Sequence, residues 1–509
     1  MRRFSFLDAG LRHAVCYFEP ENDQPKNMPR YTDNEIIIPY CTDASNGKGY
    51  ADELVIPDSV NEVVEFMRST RGMVTLSGGG TGLGGGRIPD GGSIVSLERF
   101  QACTYDSALK QLTVQSGVSL ADVHRIASEY GCFFPPDATE WGASVGGTMA
   151  TNASGARSYR YGASRHHVVA IDVLLANGEL MRLRRGQHTA VDGILKLPSA
   201  GGDVYSIPVP AIPRPLTSKN AAGLFLVPNL DAIDLFIGSE GTLGVITAAT
   251  LQLQILPESV TGMIIFFQTS DECVSFVEAI HENELRRLVT PPRLVEYFSS
   301  SSLAVMRTKT TGIPDNAHAA LWVEIEHASD NADEVLEQWF GWLKDYTPLG
   351  DETWIAGSDA GRERLRRFRH ALPSGVYERL TATGQRKIGT DFAVPHSYLR
   401  QLVENYAEYE QQFGDRMILF GHIGNAHLHA NFFYANDSEE REAQNAYMNL
   451  LEFTLRVGGT VSAEHGIGRI KKEYLRKMVG DDTINTYRAI KQTLDPHWRL
   501  NNGVMFDRV

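Results

Sequence analysis

The stretch Gly421-His422-Ile423-Gly424-Asn425-Ala426-His427-Leu428-His429-Ala430-Asn431 puts three histidines into eleven residues. Neutral imidazole is the commonest protein metal ligand, and converging imidazoles make a metal site. A lone histidine reads more simply as an ordinary satisfied side chain. A cluster this dense points to metal binding or catalysis. A second candidate is Glu464-His465, a titratable pair flanked by Gly458-Gly459 and Gly466. A third is Arg362-Glu363-Arg364-Leu365-Arg366-Arg367-Phe368-Arg369. Its arginines suit carboxylate recognition, because the guanidinium fork can bind both oxygens at once. Most of them read equally well as a solvated basic face.

These side chains need elements to aim them. Arg416–Phe420 is an apolar, strand-like run, and Asn431–Tyr434 is an aromatic one. Gly421 and Gly424 permit a sharp bend between the two. On a strand, His427, His429 and Asn431 share one face, and His422 can swing in from across the turn. Arg362, Arg366 and Arg369 share a helical face by i, i+4, i+7 spacing. A helix from Asp437 to about Val457 separates the histidine stretch from Glu464-His465.

Three glycine clusters precede these elements. The first is Ser77-Gly78-Gly79-Gly80-Thr81-Gly82-Leu83-Gly84-Gly85-Gly86, between strand-like runs, where a flexible linker would serve nothing. Its N–H groups can form an anion nest for a diphosphate. No Gly-Lys-Ser/Thr follows and no helix clearly opens from it, so it is neither a P-loop nor a Rossmann turn. The second runs from Pro135-Pro136-Asp137-Ala138-Thr139 to Ser144-Val145-Gly146-Gly147-Thr148-Met149-Ala150-Thr151-Asn152-Ala153-Ser154-Gly155, followed by Tyr161-Gly162. The third, Leu235 to Thr247, contains Glu240, Gly241, Gly244, Val245 and Ile246 and reads as strand–turn–strand. Between them lie a helix from Ser59 to Arg71 with Ser59 as N-cap, a helix near Leu120–Tyr130, and a hairpin turn at Asn177-Gly178.

A chain of 509 residues exceeds a single core, and two or three domains are expected. Its composition, 42% hydrophobic and 22% charged, is that of a soluble globular protein. A net charge of −14 disfavours nucleic acid and anionic membrane surfaces as general partners. No run reaches the roughly 18 apolar residues of a membrane span, and the start does not read as a signal peptide. Five scattered cysteines with no Cys-x-x-Cys offer no iron–sulfur or zinc-finger framework and fit a reducing cytoplasm.

Taken together and in order, the three glycine clusters resemble those of the FAD-binding fold shared by vanillyl-alcohol oxidase and p-cresol methylhydroxylase. Within that superfamily the chain is similar to the FAD-linked 2-hydroxy-acid dehydrogenases. These include D-lactate dehydrogenase, the flavin subunit of glycolate oxidase and D-2-hydroxyglutarate dehydrogenase. The resemblance runs from about residue 31 to the C-terminus. It implies an α+β fold: a two-part FAD-binding domain and an α+β substrate-binding cap. The expected boundaries are an N-terminal arm (1–50), the FAD-binding domain (51–257), the cap (258–457) and a segment returning to the flavin domain (458–509).

The resemblance also implies roles. Residues of the three glycine clusters, with Asn502 near the end, would bind FAD. The flavin would be non-covalent, since no His or Cys stands in the clusters. The family's Gly-His-x-Gly-Asp-Gly-Asn-Leu-His and Gly-Glu-His-Gly patterns place His422, His429 and Glu464 as ligands of a divalent metal, zinc first, with manganese or iron as alternatives. They place His465 as general base and Asn431 near the substrate. Arg369, just before a Leu-Pro helix break, and Lys387, in a strand before Val394-Pro395, match carboxylate-binding positions. Lys387 also reads as a surface lysine. The chain departs from the pattern at Asn425-Ala426-His427, where the family has Asp-Gly-Asn. His427 is an extra ligand, a support behind the ligands, a substrate contact, or a polar replacement with no new role. The implied reaction is FAD-dependent, metal-assisted oxidation of a small D-2-hydroxy acid, with hydride passing from Cα to flavin N5. Electrons would pass to a separate acceptor: an electron-transfer flavoprotein, quinone, cytochrome or iron–sulfur subunit. Two alternatives are a flavin subunit of a larger oxidase complex and an alkyl-dihydroxyacetone-phosphate synthase-like transferase. A homodimer, and peripheral membrane attachment through a partner, are compatible with this reading.

Overall fold

The computed structural model describes residues 28–202, 204–286 and 290–508. Three sheets organise the chain. The first has the order Arg30–Tyr31, Glu53–Val55, Ser93–Ser96, Val74–Ser77, the last three strands running parallel. The helix Val60–Ser69 packs on it through Val63, Phe66 and Met67, and the Ser59 hydroxyl caps the helix by accepting the Glu62 N–H. Of the expected N-terminal arm, residues 1–27 lie outside the described residues. The remainder is no free arm: Arg30 and Tyr31 pair with Val55 and Leu54, and Asp33 caps a short helix, Asn34–Ile37.

The second sheet is antiparallel, in the order Cys103–Asp106, Gln111–Gln115, Val245–Gln252, Val168–Leu174, Leu180–Arg184. Ahead of its central strand, the expected strand–turn–strand at 235–247 is instead a helix, Ala232–Phe236, and a turn. Asp231 accepts the Ile233 N–H at 3.0 Å and starts the helix. A short apolar run does not by itself separate helix from strand, and here the cap decides.

The third sheet has eight strands, in the order Trp354–Ala356, Ser259–Phe267, Ala319–His327, Pro292–Phe298, Met417–His422, His427–Tyr434 and Arg386–Gly389, with Phe392–Ala393 also pairing onto His427–Tyr434. Both faces are covered. Met263, Ile265 and Phe267 join the core that holds Phe276 and Trp339. Ile264 and Phe266 point the other way, into a core with Phe368 and Leu372. Those two belong to a long helix, Asp359–Thr383. The break expected at Pro373 does not occur. Proline in a helix interior costs about 3 kcal/mol. The Ser358 cap, the left-handed Gly384 end and the burial of Leu365, Phe368, Leu372 and Val376 offset this.

After the helical segment Lys472–Leu494, kinked at Gly480, the chain crosses back to the first sheet. Leu500 bridges Val74, and Arg499 donates to the carbonyls of Met67 and Thr70 at 3.0 and 2.6 Å. Among the described residues no helix is long and apolar enough to cross a membrane. Cys41, Cys103, Cys132 and Cys273 are unpaired thiols, and Cys16 lies outside the described residues.

Candidate active site

The histidines sit on a tight hairpin between the strands Met417–His422 and His427–Tyr434. Cross-strand pairing sets His422 opposite His427, Phe420 opposite His429 and Ile418 opposite Asn431. Ala426 closes the turn at φ 48°, a left-handed conformation that costs a residue with a Cβ roughly 1 kcal/mol. The three imidazoles are mutual neighbours, with ring centroids 4.4–5.6 Å apart.

Glu464 arrives on a loop held by Asp391. The Asp391 carboxylate accepts from the backbone N–H groups of Glu464 (3.3 Å) and His465 (3.0 Å), from the Ser462 hydroxyl (2.7 Å) and from Lys471 Nζ (2.8 Å). Glu240 fixes the next residues, accepting from Ile467 N at 2.7 Å and Gly468 N at 2.8 Å. Glu464 Oε1 then lies 3.2 Å from both His422 Nε2 and His429 Nε2. Its Oε2 accepts from buried Lys219 at 3.1 Å. Burial opposes the charge on Glu464, but Lys219 and His422 hold its carboxyl well below the usual range.

The rings share one pattern. His422 Nδ1 is held by Glu296, His427 Nε2 by Asp391 (3.0 Å) and His429 Nδ1 by the Thr390 carbonyl (3.2 Å). The opposite nitrogens of His422 and His429 face Glu464, and that of His427 has no partner among the described residues. A carboxylate or carbonyl behind each ring is the arrangement that orients histidine metal ligands. Ligand atoms of His422, His427, His429 and Glu464 all lie within 4.8 Å of one another. Buried imidazoles and a carboxylate suit a divalent cation. Asp391, His429 and His465 are as close together, but the Asp391 oxygens are already taken by hydrogen bonds.

His465 stacks on His429 with a 14° interplanar angle. Its Nδ1 lies 3.5 Å from Asp391 and its Nε2 3.8 Å from Glu464. Burial pushes it down to about 4, so it is neutral at pH 7. Arg369, 5% exposed, donates through Nε to Glu296 at 2.9 Å, and its Nη1 has no hydrogen-bond partner among the described residues. Lys387 donates to Asn431 Oδ1 at 2.7 Å, and burial pushes it down to about 8. Arg362 and Arg366 face elsewhere. Arg362 binds the Val260 carbonyl, and Arg366 stacks over Trp141 at 3.8 Å.

Arg369, Lys387, Asn431, His429, Glu464 and His465 line one cleft of about 1790 Å³. Its opposite wall is built from the glycine clusters: residues 77–84, then Ser144, Gly146, Gly147, Thr148, Thr151 and Ser154, then Glu240, Gly241 and Gly244 through Ile246. That is far more than a drug-sized pocket and accommodates a dinucleotide beside a small substrate. The first two clusters also pack on each other: a Cβ on Gly79 would meet the Gly142 carbonyl at 2.8 Å.

Several residues expected at the cofactor lie behind this wall. Pro136 does not line the cleft, and neither does Gly162, which packs on His166. Asp137 pairs with Arg157 and Trp141, and Gly155 packs on the Asp137 carbonyl. Asn152 accepts the Arg165 N–H, and Tyr161 donates to Glu326. At the C-terminal end it is Asn501, not Asn502, that reaches the cleft. Asn501 accepts from Leu76 N at 2.8 Å and donates to the Glu240 carbonyl at 2.7 Å, while Asn502 contacts Met73. His422 and His427 are also absent from the cleft surface, being buried behind His429 and Glu464. Sequence reasoning missed Glu296, Asp391, Lys219 and Lys471. Glu296 had a signal: it is a lone acid in the apolar run Leu294–Phe298.

Comparison with known proteins places these elements. Residues 51–184 match the family described as "FAD binding domain", and residues 256–505 match "FAD linked oxidases, C-terminal domain". D-2-hydroxyglutarate dehydrogenase of Xanthomonas citri pv. viticola is 31% identical, covering 89% of each chain. Glycolate oxidase subunit GlcD of Bacillus subtilis is 26% identical over 96% of this chain and 94% of that one. A D-lactate dehydrogenase of Anaerostipes hadrus is 28% identical over 90% of each. Among solved structures, an alkyldihydroxyacetonephosphate synthase aligns with a TM-score of 0.67, covering 93% of this chain and 81% of that one. At 17% identity this is a likeness of fold alone.

Proposed function

Since the chain belongs to the FAD-linked oxidase family and is an FAD-binding oxidoreductase of the 2-hydroxy-acid dehydrogenase type, we propose that it oxidises a small D-2-hydroxy acid to the 2-oxo acid with the help of a divalent metal. The observation that carries the reading is the single cleft. It faces the glycine clusters with the Arg369 guanidinium group, a half-buried lysine and a neutral histidine beside a carboxylate–imidazole cluster. Bound FAD would take the Cα hydrogen at N5, and a cation at His422, His429 and Glu464 would polarise the substrate hydroxyl, as zinc lowers the pKa of water from about 15.7 to about 7.

The protein's own groups do the rest. The Arg369 guanidinium accommodates the substrate carboxylate, and Glu296 fixes its plane through Nε. Lys387 and Asn431 hold the polar end of the substrate from the strand beside it. His465 takes the hydroxyl proton at Nε2, with Asp391 facing Nδ1. The D configuration rests on the relatives named for D-acids. Transfer of electrons to a separate acceptor is supported by the relatives named as glycolate oxidase subunits. Anaerobic mixing of the FAD-loaded protein with D- and L-lactate, glycolate and D-2-hydroxyglutarate tests the proposal. Bleaching of the flavin band by at least one acid is expected, with re-oxidation faster by an artificial dye than by oxygen. A flavin that none of these acids reduces would sink it.

The pH dependence of KM follows from Lys387. Above its pKa of about 8 it loses its charge, so KM for the anionic substrate is expected to rise through that region. In Lys387→Arg, whose side chain stays charged, that step should vanish. Steady-state kinetics across pH checks this, and a step that persists in the arginine variant would rule Lys387 out.

A further inference from the structure

We propose that His427 is a fourth protein ligand, so that this chain holds its cation with three imidazoles and one carboxylate. The inference rests on the metal-assisted reading above and concerns the position where the chain replaces Asn of the resembled motif. His427 is fully buried and does not line the cleft, which removes substrate contact as its role. Its Nε2 is tied to Asp391 at 3.0 Å, and the Asp391 oxygens act as acceptors throughout, from Lys471, Ser462 and the backbone N–H groups of Glu464 and His465. The ring proton therefore sits on Nε2, and Nδ1 carries the lone pair. Nδ1 is buried with no hydrogen-bond partner among the described residues. A buried, unsatisfied polar atom needs an explanation, and a cation supplies one. One ligand atom from each of His422, His427, His429 and Glu464 lies within 4.8 Å of the others. Two ligands at roughly 2.1 Å from one ion can stand at most roughly 4.2 Å apart, so small side-chain shifts close the site.

His427 also matches the other two rings in construction. All three have one nitrogen held by an oxygen; the other faces Glu464 in His422 and His429 and has no partner among the described residues in His427, which is directly cross-strand from His422. A support behind the ligands would donate to a ligand atom; His427 donates to Asp391 and not to the Glu464 carboxylate. The third imidazole moves the donor set towards nitrogen, which suits zinc and iron and disfavours manganese and magnesium. It also fills a tetrahedron, so a substrate oxygen would bind only by raising the coordination number.

The test uses the FAD-loaded full chain, stripped with a chelator and reloaded with Zn²⁺. X-ray absorption at the zinc edge is expected to count three imidazoles in the wild type and two in His427→Asn. Competition with a chromophoric chelator is expected to show Zn²⁺ affinity lowered tenfold or more in His427→Asn, with flavin spectrum and circular dichroism unchanged. Two imidazoles in the wild type, or equal affinity in the variant, would overturn the assignment of His427 while leaving the metal reading standing. A wild type that takes up no zinc, or His422→Ala with undiminished affinity, would overturn both. The wild-type spectrum decides the matter even where a variant fails to fold.

Discussion

Replacing His465 with glutamine is expected to lower kcat by about 10²–10⁴-fold, the usual contribution of a positioned general base. Burial pushes His465 down to about 4, so at neutral pH the ring has a nitrogen without a proton, able to act as acceptor once the substrate hydroxyl is polarised. It is partly open to the cleft, it stacks on His429, and its backbone N–H is pinned by Asp391 at 3.0 Å. Glutamine keeps the size and polarity but cannot take the proton. KM should change little, because carboxylate binding is assigned to Arg369 and Lys387. A loss in kcat and kcat/KM together is the signature of an interaction made in the transition state. The measurement is anaerobic stopped-flow reduction of the flavin. In His465→Ala, added imidazole should restore part of the rate. A tenfold or smaller loss with no rescue would move the base elsewhere.

The contrast between what could and could not be read from the chain is physical. The hairpin was legible because its signals are local: alternation puts His427, His429 and Asn431 on one face, and glycine marks the bend. The glycine clusters were legible for the same reason, since close backbone approach demands small residues wherever it occurs. Glu296 was not legible as a site residue. It reaches His422 only because Tyr297 pairs with Gly421, a register formed between strands far apart in sequence. Asp391 and Lys219 are also far from their partners along the chain, 36 residues from His427 and 245 from Glu464. The choice between Asn501 and Asn502 turned on the path of one segment, in which Asn501 takes φ 41° to reach Leu76 and Glu240. The continuity of Asp359–Thr383 through Pro373 shows tertiary burial outweighing a local rule. Such outcomes depend on what an element packs against, and no window along the chain contains that.

Removing Glu296 is expected to damage stability, carboxylate binding and metal retention together. It is 1% exposed and is shared by two parts of the site, accepting from Arg369 Nε at 2.9 Å and from His422 Nδ1. Burial opposes its charge, but His422 and Arg369 bring its pKa down from 4.5 to about 2. Glu296→Ala leaves the Arg369 guanidinium buried without its counter-charge, a situation that costs about 3–5 kcal/mol. At about 1 °C per kcal/mol for a chain of 509 residues, Tm should fall by roughly 3–5 °C. KM should rise because the guanidinium plane is no longer fixed, and zinc retention should fall because His422 loses the group that orients it. Glu296→Gln keeps the shape and one acceptor and should lie between the alanine variant and the wild type. The acid response separates the charge from the shape. A carboxylate whose folded pKa is depressed adds stability above its unfolded value, and that stability drains away as pH falls from about 4.5 towards about 2. The wild type should therefore lose stability across that window more steeply than Glu296→Gln. Calorimetry at several pH values, with zinc analysis and KM on the same preparations, tests all three effects. If Tm falls while KM and zinc content stay at wild-type values, Glu296 acts only as packing, and the link between the carboxylate clamp and the metal ligand fails.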